Sequence, residues 1–191
     1  EKDFGCGTEY FNYLTKAASI HNAGPYSDKF DDSGWQDISL PHDWVTDLPY
    51  DASASHSHGY KCVGWKYPST SVGWYRKWLE IPAEDRGKHI YLRFDGIFRD
   101  SRIWFNGFYL GGEPSGYASQ IYDITEYVRH DEPNLLCVRV DASLEEGWFY
   151  EGAGIYRHVW LNKTAEIAVA PDGTFVHCDF PGQDFSRAML T

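Results

Sequence analysis

Residues 101–110 read SRIWFNGFYL and decide the fold class of this chain. Two apolar runs, 101–105 and 108–110, flank the dipeptide Asn106-Gly107. An Asn-Gly pair between apolar runs is the strongest short-range signal of a β-hairpin, because both residues accept the positive φ of a type I′ turn. We therefore predict a tight hairpin turn at Asn106-Gly107.

Further strand patterns lie on both sides of this hairpin, and helical periodicity is nearly absent. The strand-like runs are GWYRKWLEI at 73–81, KHIYLRFD at 88–95, NLLCVRVD at 134–141 and IYRHVWL at 155–161. Alternation predicts burial of seven apolar residues: Phe94, Ile103, Phe105, Leu136, Val138, Val140 and Val159. Residues 123–128 suit a single helical turn capped by Asp123 or Thr125. Many short strands joined by turns predict an all-β sandwich.

Three stretches lack this regular pattern. The first 35 residues are rich in Gly, Asn, Ser and Asp, and we predict an irregular wrapping segment with at most one short strand. Residues 45–72 form a long irregular stretch, and loops of that length in a compact domain are usually functional or disordered; their Tyr and Trp content argues against disorder. Residues 164–178 predict two strands around the turn Pro171-Asp172-Gly173.

Composition excludes several classes of protein. The 191 residues carry 17 Lys and Arg against 28 Asp and Glu, a net charge of −11, which disfavours nucleic acid as a partner. No apolar run is long enough for a membrane span, so we expect no membrane partner. The 8 Trp, 14 Tyr and 11 Phe can fill a core or stack on sugar rings, and we expect most of them in the core.

The cysteines give no sign of a metal site. Cys6, Cys62, Cys137 and Cys178 form no C-x-x-C pair, so we expect neither a metal nor another cofactor. Cys137 lies in an apolar run and is predicted to be a buried thiol. A domain of this size does not require a disulfide.

Two short motifs are candidates for ligand binding. In His42-Asp43-Trp44 an acid and a ring could hold a hydroxyl and stack a sugar; the alternative is a turn in which Asp43 accepts a hydrogen bond from its own backbone. Residues 145–154, EEGWFYEGAG, combine acids, aromatics and glycines. Such a loop suits binding, but its aromatic residues could equally plug the end of the sandwich.

Evidence for chemistry within the chain itself is sparse. No pair of carboxylates stands out, and there is no G-x-S-x-G nucleophile motif. His56 and His58 are two residues apart, a spacing that does not favour a shared metal ion, so we interpret them as loop histidines. The sequence predicts no catalytic residue; a small enzyme that uses a His-Asp pair is the least favoured hypothesis.

Six motifs in order nevertheless resemble one family. They are LPHDW at 40–44, GWYRK at 73–77, FDG at 94–96, NGFYLG at 106–111, GY at 116–117 and GAGIYR at 152–157, with FDDSGW at 30–35 before them. Together they resemble the amino-terminal sugar-binding domain of family 2 glycoside hydrolases, the beta-galactosidase and beta-glucuronidase group. The resemblance implies a jelly-roll, galactose-binding-domain-like β-sandwich over residues 1–163.

The resemblance also implies two further domains after this one. Residues 164–191 correspond to the start of an immunoglobulin-like β-sandwich, cut short. In the family a (β/α)₈ barrel comes next and carries the catalytic glutamates. Such a barrel needs about 250 residues and does not fit into this chain. We therefore expect the chain to be a piece of a glycosidase that is inactive alone.

The resemblance points to two loops as contacts for the sugar. One family contact is an acidic residue six positions before the G-I-aromatic-R motif, where this chain has Trp148. Either Trp148 stacks on the sugar instead, or Glu146 or Glu151 takes the place of the acid. The second contact comes from the 45–72 stretch. The predicted substrate-binding residues, expected to lie near one another, are His42, Asp43, Glu146, Trp148, Tyr150 and Glu151.

The favoured function is that of a non-catalytic domain that binds a galactoside-like carbohydrate beside the barrel of a beta-galactosidase-like hydrolase. The alternative is an independent lectin-like carbohydrate-binding module, which the apparently cut-off tail disfavours. The chain begins at Glu1 rather than Met and shows no signal peptide. We expect a processed or excised piece of a periplasmic or extracellular protein.

Overall fold

The computed structural model describes residues 24–145, 147, 150–180 and 189–190. The strands in these ranges are β1 (Val72–Glu80), β2 (His89–Phe94), β3 (Ser101–Phe105), β4 (Phe108–Glu113), β5 (Gln120–Asp123), β6 (Pro133–Asp141), β7 (Val159–Thr164), β8 (Cys178–Asp179) and β9 (Met189–Leu190). The helices are single turns: α1 (Pro68–Ser71) and the 3-10 turns Trp44–Asp47, His56–His58, Ala83–Asp85 and Thr125–Tyr127. None of these helices is long and apolar enough to cross a bilayer.

Two antiparallel sheets form the sandwich. Their strand orders are β1-β6-β3-β4 and β5-β2-β7, and β8 pairs separately with β9. Ile90, Leu92 and Phe94 alternate along β2 and pack against apolar residues of β3 and β6, such as Ile103 and Val138. The core therefore lies between the sheets, and the prediction of an all-β sandwich is confirmed.

The hairpin and most of the predicted core are confirmed. Phe105 pairs with Phe108 across a two-residue turn in which Asn106 has φ 50° and Gly107 has φ 83°. Six of the residues predicted to be buried are so: Phe94, Ile103, Phe105, Leu136, Val138 and Val140. Val159 is only half-buried, because β7 is an edge strand. The predicted helical turn spans Thr125–Tyr127, but its N-cap is Ile124 rather than Asp123 or Thr125. The Asp123 carboxylate accepts the Thr125 N–H.

The wrapping segment is confirmed for its described part, residues 24–35. It forms turns over the outer face of the four-stranded sheet, where the Tyr26 ring stacks on Trp104 at 5.5 Å. The Arg76 guanidinium donates to the carbonyls of Ser27 and Phe30, both at 3.2 Å. These contacts hold the segment against β1 and β3. Residues 24–35 contain no strand, and residues 1–23, where the short strand of this segment could still occur, lie outside the described residues.

The prediction that most aromatic residues lie in the core is wrong for the described residues. Five of their side chains are buried: Tyr26, Phe94, Phe98, Trp104 and Phe105. A larger number are exposed, among them Tyr50, Tyr60, Trp65, Tyr117 and Tyr150. The exposed rings lie both in loops, as at Tyr50 and Trp65, and on strands, as at Trp78 and Trp160.

The prediction that Cys137 is a buried thiol is confirmed. Cys137 is fully buried, and burial raises the pKa of its thiol above the ordinary range. Cys62 and Cys178 are also free thiols. Cys6 lies outside the described residues.

Two strand predictions were wrong. The run 155–161 joins the sheet only from Val159, because Gly154 and Ile155 are held by the segment around His42 and leave the line of the sheet. In the tail, the Gly173 N–H donates to the Ala170 carbonyl at 2.9 Å and closes the expected turn. Its flanks, however, expose their side chains and form no strand before Cys178. The division into domains at residue 163 stays a prediction.

Candidate functional site

The motif at 40–44 lies against the segment that precedes β7. The His42 N–H donates to the Ile155 carbonyl at 2.8 Å, and the Trp44 N–H donates to the Ala153 carbonyl at 3.1 Å. The His42 imidazole Nδ1 lies 2.8 Å from the Tyr75 hydroxyl on β1. Residues more than a hundred positions apart in sequence are thereby joined at one edge of the sandwich.

A glycine makes this contact sterically feasible. Gly154 has φ +132°, and a Cβ at this position would collide with the His42 carbonyl oxygen and the Tyr75 hydroxyl. Its backbone also exchanges two hydrogen bonds with Phe98, at 2.6 and 2.9 Å. Gly154, the second glycine of GAGIYR, is therefore required. The His42 carbonyl, the Tyr75 hydroxyl and the backbone N–H and carbonyl of Phe98 all lie against it.

Asp43 connects the two candidate loops directly. Its Oδ1 accepts the N–H of Val45 at 3.0 Å, which caps the 3-10 turn, and the N–H of Ala153 at 2.9 Å. Its Oδ2 accepts the Tyr150 hydroxyl at 2.8 Å. The alternative interpretation, a turn stabilised by the Asp43 side chain, is thus observed, together with a link to the second loop. The role of Asp43 as a sugar ligand stays a prediction.

Tyr150 presents an open ring at this edge. Half of its surface, 51%, is exposed, and the ring packs over Gly59. A Cβ added to Gly59 would lie 3.3 Å from a carbon of the Tyr150 ring. Burial of the hydroxyl and its hydrogen bond to Asp43 raise the pKa of the phenol, so it stays protonated. Tyr150 does not plug the end of the core.

Beneath Tyr150 lies a buried layer. The Glu151 N–H donates to the Ser57 carbonyl at 2.7 Å, and the Ser57 hydroxyl donates to the Gly147 carbonyl at 2.8 Å. The Glu151 carboxylate lies 3.9 Å from the His58 Nε2, and both side chains are buried. The interpretation as a loop histidine suits His56, which is exposed, but not the buried His58.

The 45–72 stretch is irregular, as predicted, and well bonded. Tyr50 and Lys61 form an isolated antiparallel bridge, and the Asp51 N–H donates to the Tyr60 carbonyl at 2.8 Å. Tyr60 adopts φ +58°, which is uncommon for a bulky residue. The rings of Tyr50 and Tyr60 lie 5.9 Å apart and are exposed, as is Trp65. A hydrogen-bonded backbone therefore presents exposed aromatic rings in this stretch.

The structure brings four of the six predicted site residues together at this edge: His42, Asp43, Tyr150 and Glu151. Glu146 and Trp148 lie outside the described residues, so their placement and their sugar contacts stay predictions. Sequence reasoning missed the roles of Ser57, His58 and Tyr75. For Tyr75 the motif GWYRK was a usable signal, whereas nothing in the sequence indicated the other two.

Metal chemistry has no support at this edge. Within the described ranges no cluster of three or more His, Cys, Asp or Glu side chains could hold a metal ion. The available groups are a half-exposed phenol, exposed rings and a carboxylate already engaged by three donors. Such an edge can stack on a flat, hydroxylated ligand.

Comparisons with known proteins place this fold in a family. Residues 28–165 match the model of the glycosyl hydrolases family 2 sugar binding domain. A beta-galactosidase of Bacteroides ovatus is 42% identical over 148 residues, covering 77% of this chain and 17% of that protein. A putative beta-glucuronidase of Formosa agariphila is 33% identical, covering 78% of this chain and 14% of that protein.

A solved structure agrees. The structure of a glycosyl hydrolase family 2 member from Bacteroides cellulosilyticus matches with a TM-score of 0.67 and 36% identity, covering 79% of this chain and 20% of that one. The chain thus spans about a fifth or less of the length of the relatives it matches. It belongs to the sugar binding domain family of the family 2 glycosyl hydrolases.

Proposed function

We propose that this chain is the non-catalytic amino-terminal domain of a beta-galactosidase-like glycosidase, and that its loop edge forms one wall of the sugar subsite of a catalytic barrel. The proposal is supported by the family match and by the small share of each relative that the chain covers. Hydrolysis itself would fall to a pair of carboxyl groups on the barrel, about 5 Å apart in a retaining enzyme.

The observation that carries the proposal is the placement of Tyr150. Its ring is half exposed, yet its position is fixed by the Asp43 carboxylate at one end and by Gly59 beneath it. A tyrosine ring offers a large flat surface with only two side-chain torsions to fix, so stacking on it costs little conformational entropy. The apolar face of a pyranose suits such a surface.

Neighbouring residues would extend this wall. Trp148 and Glu146 precede Tyr150 in the same loop and are candidates for a second ring and a hydroxyl acceptor. Tyr60, the residue after Gly59, and Tyr50, whose ring lies 5.9 Å from that of Tyr60, present further exposed rings. A wall of this kind would act mainly through substrate binding, because it holds no reacting group.

The test compares variants in the full reading frame that encodes this chain. Tyr150→Ala should raise KM for a nitrophenyl galactoside about tenfold, which corresponds to about 1.4 kcal/mol. Trp148→Ala should likewise raise KM or lower kcat. The matched control is Phe108→Ala, which removes a ring of similar exposure, 54%, beside the hairpin turn.

Two results would contradict the proposal. One is a KM for Tyr150→Ala that equals that of Phe108→Ala. The other is hydrolysis by the 191-residue chain alone that survives repurification, since we expect it to release no nitrophenol above buffer. Galactose binding by the isolated chain with micromolar affinity would instead favour the lectin-like module.

A further inference from the structure

The strongest unexplained feature is a buried histidine beside a buried carboxylate. His58 is completely inaccessible to solvent, and the Glu151 side chain is 3% exposed. The His58 Nε2 and the Glu151 Oε2 are 3.9 Å apart, too far for a hydrogen bond. Neither ring nitrogen of His58 hydrogen-bonds to any residue that the structure describes. Buried polar nitrogens in this state are costly and call for a reason.

The surroundings of His58 bear opposing charges. Glu151, Glu145 and Asp43 favour its protonated form, whereas Arg99 disfavours it. Burial outweighs these charges and lowers the pKa of His58 below its ordinary value of 6.5. At neutral pH the imidazole is therefore uncharged, and protonation in acid would place a cation where no water can reach it.

The pair lies where two segments of the site are joined. One residue before His58, Ser57 accepts the Glu151 N–H and donates to the Gly147 carbonyl. One residue after His58, Gly59 supports the Tyr150 ring. Any change that expels His58 from the interior would thus disturb the backbone that carries Tyr150.

We propose that His58 and Glu151 are positioning residues, which hold the segment around Tyr150 against the His56–His58 turn while His58 is neutral and release it when His58 is protonated. This inference rests on the proposed function, because the consequence is a change in substrate binding. It assigns neither residue to the chemical step. The site would bind its sugar less tightly in acid.

The activity test uses the full reading frame and three proteins: wild type, His58→Gln and His56→Gln. Glutamine keeps a polar side chain but cannot titrate, and the exposed His56 in the same turn is the matched control. The wild-type KM divided by the His58→Gln KM should rise about threefold or more from pH 7 to pH 5, while the same ratio of kcat values stays flat. The ratio of wild type to His56→Gln should stay constant for both parameters.

A KM ratio for His58→Gln that does not change with pH would overturn the inference while leaving the proposed function intact. Absence of galactosidase activity in the wild type at pH 7 would instead be a failure of the proposed function. Glu151→Gln should raise KM at pH 7 and flatten its pH dependence, since it removes the partner carboxylate.

A second measurement decides the matter even where His58→Gln does not fold. In the wild-type 191-residue chain, nuclear magnetic resonance can follow the hydrogen exchange of the Glu151 amide. Its protection factor should fall about tenfold from pH 7 to pH 5, while amides in the middle of β6 keep theirs. Equal protection at both pH values would rule out release of this segment.

Discussion

The two ends of the sandwich are built on different principles. At the hairpin end, the Asn106-Gly107 turn joins β3 to β4, and both of its residues have positive φ. The Asn106 side chain also donates to the Tyr127 carbonyl and the Asn134 side chain and accepts the Leu135 N–H. At the loop end, residues 40–44, 55–59 and 150–155 are held by Asp43, Ser57 and Gly154, through contacts between residues about a hundred positions apart. A local sequence motif specifies the backbone of the hairpin end. Contacts between segments about a hundred positions apart specify the backbone of the loop end.

This difference bears on function. At the hairpin end a two-residue motif specifies the turn, and the Asn106 side chain bonds to residues 21 to 29 positions later in the chain. The loop end fixes an irregular backbone through many specific hydrogen bonds and thereby presents half-exposed rings in a defined position. Sites that bind ligands need such a supporting layer, because a binding group displaced by about 1 Å contributes much less to affinity. We therefore place the candidate site at the loop end.

The largest expected effect contrasts one glycine from each end. Gly154→Ala should destabilise the 191-residue chain by about 3 kcal/mol or more, because its Cβ has no room and its φ of +132° strains any other residue. Gly107→Ala should cost only about 1 kcal/mol, since its surroundings are open and only the positive φ is unfavourable. Urea unfolding followed by tryptophan fluorescence measures both. Equal decreases in the free energy of unfolding for the two variants would contradict the difference between the two ends.

A second, smaller effect concerns the carboxylate at the loop end. Asp43→Ala should cost about 2 kcal/mol, because it removes a helix cap and leaves the Ala153 N–H and the Tyr150 hydroxyl without their acceptor. Asp47→Ala, at an exposed position of the same turn, should cost less than about 0.5 kcal/mol. The same unfolding experiment applies. A loss at Asp47 as large as that at Asp43 would show that the cross-loop bonds contribute nothing.

The same contrast explains what sequence could predict. The alternation in β2 and β6 and the Asn106-Gly107 turn are local patterns, and they gave the strands, the hairpin and six buried residues. The run 155–161 was predicted as one strand because its alternating pattern gives no sign that Gly154 and Ile155 contact the distant residue His42.

The candidate site was only partly accessible to the same reasoning. His42, Asp43 and the 145–154 loop were predicted from residue types and from the resemblance to a family. His58 is buried beside Glu151, 93 positions later (151 − 58), so spacing alone could not reveal this contact. Exposed aromatic residues were assigned to the core because residue type alone does not tell which face of a strand or loop meets solvent.

The smallest effect is a difference between the ends in acid. Burial lowers the pKa of His58, and hydrogen bonds from Lys163 and Lys88 lower that of Asp85 beside the hairpin end. A group whose pKa is lower in the folded than in the unfolded chain stabilises the fold at pH values above its unfolded pKa. This stabilisation is lost as the pH falls below that pKa. Loss at the loop end should begin below pH 6.5, the ordinary value for His, and loss at Asp85 only below 3.8. Urea midpoints measured from pH 8 to pH 3 should fall in two stages.

Two variants assign these stages. His58→Gln should abolish the first stage and leave the second, whereas Asp85→Asn should shrink the second and leave the first. A single stage below pH 4 that His58→Gln does not alter would show that the buried histidine has no effect on stability.

The most direct measurement of the central claim is a titration of the isotope-labelled 191-residue chain with galactose, followed by nuclear magnetic resonance. The account predicts shifts confined to the loop end, at Ser57, Gly59, Tyr150 and Gly152, with a dissociation constant in the millimolar range or weaker, about −4 kcal/mol. Weak binding is expected because the domain supplies only one wall of the subsite. Shifts centred on the Asn106-Gly107 hairpin, or no shifts at the loop end at saturating sugar, would contradict the account.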